Sequence, residues 1–346
     1  MDLLKPIYPY LLGILIISGC KNQEVTFDDY DYTAVYFPLQ APLRTLVLGE
    51  DRLDNSLDNE LKFNVGVSIG GLYENTRSWS VSLDYAYDLA GGLKNANGDT
   101  ILALPREYLT QSDPSLPGTT VIPAGEFNGL VEFQLTDAFL EDTLAYTGQY
   151  VLPLRITESD ADSILSGMPL ISDADKRITS EWDVEAPPKD FTLFGIKYIN
   201  PFHGSYLHRG TSVEQDADGN TVNTVVYRQN FIVQDEIWKL STRGRNQVVT
   251  NGIAQNNGGD FAMQLDFDGN NIQVNTAPGS PVEVSGNGQF IPSAESREIW
   301  GDESRAAIYL NYSYSEAGNT FQVNDTLVLR DRGVVFEELT LEVVDN

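Results

Sequence analysis

Cysteine is nearly absent from this chain: Cys20 is the only one in 346 residues. No intramolecular disulfide can form, and a zinc site would have to be assembled without cysteine pairs. Histidine is almost as scarce, with His203 and His208 alone. Five residues apart in an extended chain, they face opposite ways, so a shared metal is not expected. Basic residues are few as well, 22 Lys and Arg against 50 Asp and Glu, for a formal net charge of -28. A nucleic-acid surface needs clustered cations to displace counterions. The densest basic group here is Arg243-Gly244-Arg245, so neither nucleic acid nor a strongly anionic polysaccharide is expected as a partner. The acidity reads instead as solubility at a crowded cell surface.

Catalytic signatures are missing too. There is no Gly-x-Ser-x-Gly elbow and no P-loop. Gly286-Asn287-Gly288 lacks the third glycine and the strand-to-helix setting of a dinucleotide loop, and reads as a turn. Carboxylates are so abundant that a close pair at glycosidase separation carries little meaning. No catalytic residue, metal ligand or cofactor is nominated, and the expectation is a protein that is not an enzyme.

What is present begins with the lone cysteine. Lys5 precedes a short apolar run, Leu11-Leu12-Gly13-Ile14-Leu15-Ile16-Ile17, which leads into Ser18-Gly19-Cys20. A bilayer-spanning helix needs roughly 20 apolar residues. This run is too short for that, but it has the proportions of a signal-peptide h-region. Ile17-Ser18-Gly19-Cys20 resembles the bacterial lipobox, in which small residues admit the peptidase and the thiol takes a diacylglyceryl group. On this reading residues 1–19 are a signal peptide, Cys20 is the lipidation site, and residues 20–33 are a lipidated tether to the membrane. Acylation also removes a thiol that would be a liability in an exported chain.

The length suits about two domains, and past the tether the pattern is almost wholly that of strands. Leu61, Phe63, Val65, Val67 and Ile69 alternate with polar residues, and Trp79, Val81, Leu83 and Tyr85 repeat the scheme. Pro153 within 149–156 marks an edge strand or a bulge. Short helical turns are expected near 105–109, 137–144 and 160–165. Strands at this spacing predict an all-β fold, with an immunoglobulin-like β-sandwich over residues 34–183. The paired prolines of residues 184–190 read as a linker. From 191 to 346 the strands lengthen and are joined by hairpin signals at 216–220, 266–271 and 316–319. An antiparallel, lipocalin-like β-barrel closes such hairpins with no free edge. The first two of these acidic loops are read as turns before calcium sites, since both lack the bidentate Glu of an EF-hand.

The first domain resembles a Bacteroidetes family of uncharacterised domains at the N-terminus of many surface lipoproteins. The resemblance rests on Ala34-Val35-Tyr36-Phe37-Pro38, Leu46-Val47-Leu48-Gly49, Leu104-Pro105-Arg106-Glu107-Tyr108, Val121-Ile122-Pro123-Ala124-Gly125 and Tyr150-Val151-Leu152-Pro153-Leu154. Through the stretch from Tyr198-Ile199-Asn200-Pro201 to Arg209-Gly210, the second half is similar to another uncharacterised family that commonly follows the first. The resemblance implies an outer-membrane, lipid-anchored cell-surface protein of a glycan-utilisation locus, working beside a sugar importer and its lipoprotein lid. It implies no catalytic residues. The Asp-x-x-Asp-x-Asp-x-Glu signature of glycosidase barrels fused to some relatives is absent here.

A glycan-binding accessory protein is therefore the expected function. Its rivals are an adhesion or assembly protein that binds another surface protein, and a glycoside hydrolase. Sugar binding rests on aromatic faces, and three are candidates. Trp300 stands among polar neighbours near an expected barrel mouth, Trp238 in a strand of mixed character, and Tyr309 on a face shared with Asn311 and Ser313. Trp79 is assigned to the core, Trp182 to the domain interface.

Overall fold

A computed structural model describes residues 30–110 and 118–344. Cys20, the signal peptide and most of the tether lie outside the described residues. Eleven described strands precede the barrel: β1 (Ala34–Tyr36), β2 (Pro42–Val47), β3 (Lys62–Gly70), β4 (Trp79–Tyr85), β5 (Leu93–Asn95), β6 (Leu102–Ala103), β7 (Thr119–Ile122), β8 (Asn128–Gln134), β9 (Tyr150–Ser159), β10 (Ser163–Ile164) and β11 (Phe191–Ile199). One sheet runs β10-β1-β3-β8, and the other β2-β11-β9-β4-β7 with β6 beside β9. Period-two alternation builds the core between them. Phe63, Val65, Val67 and Ile69 of β3 and Trp79, Val81 and Leu83 of β4 are buried. Phe63 stacks on both Phe133 and Phe194 at 5.5 Å.

Four local expectations are corrected. Gly286-Asn287-Gly288 is not a turn but lies within the strand Val284–Ile291, where Gly286 pairs with Tyr312 and Gly288 with Leu310. Residues 160–165 form no helical turn; Ser163–Ile164 is β10, paired in parallel with Ala34 and Val35. Asp162 fixes that ladder by accepting from both the backbone N–H and the hydroxyl of Thr33, at 2.8 Å each. Pro153 sits inside a central strand, between β11 and β4. It is tolerated because the β4 ladder ends beside it: Tyr85 faces Leu154, and the Pro153 carbonyl accepts from Ala86 N–H just past the strand. Trp182 packs within the sandwich, its indole donating to the Asp175 carbonyl at 2.8 Å.

The domain boundary also moves. Phe191 does not begin the barrel: β11 pairs antiparallel with β9 and parallel with β2, in the middle of the second sheet. Residues 184–190 are not a free linker, since Lys189 exchanges backbone hydrogen bonds with Phe37 and Leu165, and Asp190 is buried against Lys176. The near-continuous apolar run Phe191-Thr192-Leu193-Phe194-Gly195-Ile196 is the mark of a strand buried on both faces.

The barrel follows from β12 (Gly204–Gln215), with β13 (Thr221–Tyr227), β14 (Glu236–Gly244), β15 (Gln247–Thr250), β16 (Gly252–Ile253), β17 (Asn256–Asn257), β18 (Met263–Asp268), β19 (Asn271–Thr276), β20 (Val284–Ile291), β21 (Ile299–Trp300), β22 (Glu303–Ser304), β23 (Ala307–Glu316) and β24 (Asn319–Asp331). The order β12-β14-β15-β18-β19-β20-β23-β24 closes when β24 pairs back onto β12, giving an eight-stranded antiparallel barrel. The hairpins fall where Asp-Gly and Gly-Asn pairs announce them. At 216–220, Asp216 accepts from the N–H groups of Asp218 and Asn220 at 3.0 and 2.9 Å; at 268–271, Gly269 supplies a positive φ of 58°.

The chain then returns to the sandwich. β25 (Glu337–Glu338) adds an edge beside β2, and β26 (Leu341–Val343) pairs with β5. The barrel is thus an excursion between two sandwich strands, joined to its host by two crossings, near residue 200 and near residue 333.

Candidate functional site

Alternation directs large side chains to the barrel axis. Tyr206, Trp238, Leu240, Met263, Leu265, Val274, Tyr312 and Leu327 are among those that fill it. A polar cluster around Asp325 interrupts this interior. Asp325 accepts hydrogen bonds from the hydroxyls of Tyr227 and Tyr312, the latter at 2.7 Å, and its Oδ2 lies 3.3 Å from His208 Nε2. Tyr312 in turn accepts from Ala254 N–H at 2.7 Å. Gly210 leaves room for this cluster, since a Cβ there would stand 2.1 Å from Asp325 Oδ1. Burial, then the Asp325 carboxylate, pushes both tyrosine hydroxyls well above their ordinary range. The side chains of His208 and Asp325 have no exposed surface, so no substrate touches them while the barrel is closed.

Two open clefts lie instead at the seam between the domains, where both crossings meet. The larger is a cleft of about 1070 Å³, walled on the sandwich side by the 50–55 loop and on the barrel side by Ser293, the 303–306 segment and the 329–335 return. Apolar Leu53, Leu329, Val334 and Val335 line it together with Arg52, Arg305, Glu50 and Asp331. The smaller cleft, about 310 Å³, lies across the return segment and is lined by Lys197, His203, Ser241, Arg243 and Glu337. The two share Arg332, Gly333, Val334 and Val335.

Arg332 fixes the seam. The residue is 5% exposed, and its guanidinium donates to the carbonyls of Leu48 at 3.1 Å and Glu50 at 2.7 Å on the sandwich, and to Asn200 at 2.7 Å and His203 at 2.8 Å on the outgoing crossing. Burial lowers its pKa, with Tyr206 and Asp51 opposing. Asn200, fully buried, donates to the Gly244 and Gln247 carbonyls at 2.9 and 2.8 Å. Ser293 donates to Glu50 Oε2 at 2.7 Å across the cleft floor. Gly49 has φ +85°, and a Cβ there would stand 2.6 Å from Pro201. Burial, followed by the charges of Arg332 and Lys197, holds His203 down to about 4. Thr242 N–H donates to its Nδ1 at 3.1 Å, which leaves the proton of the neutral ring on Nε2.

The three aromatic candidates are not gathered into one platform. Trp238 is fully buried and stacks on His208 at 3.8 Å. This corrects its assignment to a ligand surface: β14 turns Trp238, Leu240 and Thr242 inward together. Trp300 and Tyr309 do share a neighbourhood. Trp300 lies in the β21–β22 hairpin, its indole donating to the Leu329 carbonyl at 3.1 Å and the Arg305 guanidinium 4.5 Å above its ring. Tyr309, 37% exposed, donates to Glu298 Oε1 at 2.8 Å, and burial with that carboxylate pushes its hydroxyl up to about 12. Trp300 therefore positions Arg305 in the wall of the larger cleft. The cleft residues themselves had no signature in the sequence, because they come from four separate segments that meet only once the barrel is known to be inserted.

The fold and its seam define a class: a two-domain all-β protein with a closed barrel set into a β-sandwich. Family comparisons fall along the same lines. A family described as a domain of unknown function (DUF5627) matches residues 201–333, the barrel, and another described as an N-terminal domain matches residues 29–163. A Bacteroides ovatus structural-genomics protein of unknown function, solved at 2.40 Å, is 30% identical, with a TM-score of 0.80 over 91% of this chain and 100% of that one. The chain belongs to the same family as that protein. Two further Bacteroides ovatus structures of unknown function are each 12% identical, one with a TM-score of 0.41 over 90% of this chain and 100% of that one, the other with 0.39 over 85% and 90%. No curated protein matches the chain.

Proposed function

We propose that this chain is a non-catalytic, lipid-anchored cell-surface protein that binds glycan in the larger seam cleft, as an accessory of a sugar importer and its lipoprotein lid. The observation that carries the reading is the lining of that cleft, which combines apolar Leu53, Leu329 and Val335 with planar polar Arg52, Arg305 and Asp331. A sugar ring presents the complementary surface, C–H faces between hydroxyl edges. Domain interfaces are also where ligand pockets are commonly found, and this volume is at the upper end of the usual range. The signal-peptide pattern before Cys20 and the resemblance to surface lipoproteins supply the address.

Affinity electrophoresis of the folded chain through gels containing a panel of neutral glycans tests the reading. Retardation by at least one glycan, weakened by Arg305→Ala and Arg52→Ala together, is the expected result; no retardation by any would refute it. The same cleft holds Glu50, Asp51, Glu303 and Asp331, so turnover of a retained glycan would replace binding by hydrolysis. A second reading, docking of another surface protein, is favoured by the exposed run Val334-Val335-Phe336 beside Leu53. It predicts that Phe336→Asp abolishes copurification with the importer's lipoprotein while glycan retardation is unchanged.

A further inference from the structure

The smaller seam cleft runs against the charge of the molecule. In a chain with 50 acidic and 22 basic residues, its walls bring together Lys197, Arg243 and Arg332 with the single carboxylate of Glu337. Lys197 is paired with Glu337 at 2.6 Å. Arg243 is exposed and makes no ion pair or side-chain hydrogen bond with the described residues. Arg332 spends its donors on four neutral carbonyls, with no carboxylate of the described residues in ion-pair contact. Two positive charges therefore stand uncompensated at one small opening, one of them almost wholly removed from water. Leaving a buried guanidinium without an anion is costly, and an anion from solution relieves that cost. The neutral donors beside them fit the same ligand: Ser241 offers a hydroxyl, and His203 lines the cleft with Nε2–H as its remaining donor.

We infer that this cleft binds one sugar residue bearing a single anionic group, a carboxylate or a sulfate, with Arg243 and Lys197 as the anion's direct partners and Arg332 as the fixed charge behind them. The inference deepens the glycan reading and rests on it for the sugar. A volume of about 310 Å³ is at the small end for a ligand site and suits a monosaccharide rather than a chain. One anionic residue is also what the global charge permits. Screening over about 8 Å at physiological salt hides the outer carboxylates from an ion inside the cleft, whereas a polyanion lying along the surface would meet them.

Isothermal titration calorimetry on the folded chain at 0.15 M salt tests this, with glucuronate, glucose 6-sulfate, glucose and inorganic sulfate as probes. The expected result is that at least one acidic sugar binds tenfold or more tighter than glucose and tighter than inorganic sulfate, and weakens as salt rises. Arg243→Gln, with unchanged circular dichroism, is expected to lower that affinity about tenfold; Lys197→Met gives a second, independent loss. The carboxylate and sulfate arms tell the two anion sources apart. Glucose binding as tightly as both acidic sugars, or no binding by any probe, would overturn the inference, as would affinities unmoved in both variants. Inorganic sulfate binding as tightly as the sulfated sugar would overturn its sugar part. Retention of neutral glycans in the gel assay without any acidic preference here sinks this inference alone, while acidic monosaccharide binding with no glycan retained sinks only the glycan-cleft reading.

Discussion

Arg332→Met removes the clamp at the seam while keeping most of its aliphatic packing. Four hydrogen bonds are lost, to the carbonyls of Leu48, Glu50, Asn200 and His203. They are not equal. The Glu50 and His203 bonds lie at the margin of the clefts, where water can replace the donor. Asn200 O keeps a second partner, His203 N–H at 3.2 Å. The Leu48 carbonyl is the group left bare in a buried place, at about 1–3 kcal/mol. Charge-assisted bonds of this kind contribute about 1.5–3 kcal/mol each before desolvation is subtracted, and taking the guanidinium out of water offsets much of that sum. The expected net loss is about 2–4 kcal/mol. Arg332→Lys should lose less, because the ammonium keeps the charge but cannot fork to both sides of the seam.

Urea unfolding followed by tryptophan fluorescence reads the loss as a lower midpoint. Small-angle scattering reads the accompanying loosening as a larger radius of gyration, since Arg332 ties the outgoing crossing to the sandwich. If Arg332→Met unfolds at the wild-type midpoint and scatters identically, the guanidinium is not what holds the domains together, and the seam would have to be held by the β25 and β26 pairings with the Ser293–Glu50 bond and the ion pairs of Arg245 with Asp137 and Glu141.

Trp238→Ala should cost about 3–5 kcal/mol, as large-to-small changes in a packed core do, whereas Trp300→Ala should cost clearly less; equal midpoint shifts in urea would contradict their placement. Protonation of His203 opposes folding, because its folded value of about 4 lies below the ordinary 6.5, so the unfolded chain takes up the proton first. Its contribution is complete above about pH 6.5 and drains as pH falls toward 4, by at most about 3 kcal/mol; urea midpoints across that window should fall less steeply for His203→Asn, and parallel curves would refute the assignment. Deleting residues 337–346 strips Leu339, Leu341 and Val343 from the cluster with Phe191 and Leu193. At partial burial this should cost the sandwich about 3–5 kcal/mol, and hydrogen exchange should show β2 and β5 losing protection while β18 and β19 keep theirs. Gly210→Ala forces a Cβ to 2.5 Å from the Asn324 carbonyl, and thermal unfolding of the variant should drop by many degrees or the chain should fail to fold.

The legible parts of this chain were those in which one short segment carries its own signal. Alternation in β3, β4 and β23 fixed which faces are buried, because a two-residue period admits no other burial of Phe63, Val81 or Tyr312. Turn residues placed the hairpins, because positive φ angles restrict what can stand there. The seam was illegible for the opposite reason. The proline pair at 187–188 reads as the end of a domain, yet the chain simply turns into the centre of the same sheet, and only the apolar character of β11 on both faces hints at it. Nothing local in Glu337-Glu338-Leu339-Thr340-Leu341 says that its partners lie some 250 to 300 residues earlier, at Leu43 and Asn95. Trp238 failed in a third way: Lys239 and Glu236 near it suggest a surface, but Lys239 reports on the opposite face and Glu236 is the exposed first residue of the strand, while the inward neighbours of Trp238 are Leu240 and Thr242. The clefts inherit the illegibility of the seam. Arg52, Lys197, Arg243, Arg305 and Arg332 are unremarkable cations along the sequence, and they become a site only because an inserted barrel folds its two crossings against one edge of the sandwich. An acidic chain with few cations to spend has placed six of them there, Arg330 included, which is why the seam, more than the barrel mouth, is where binding should be sought.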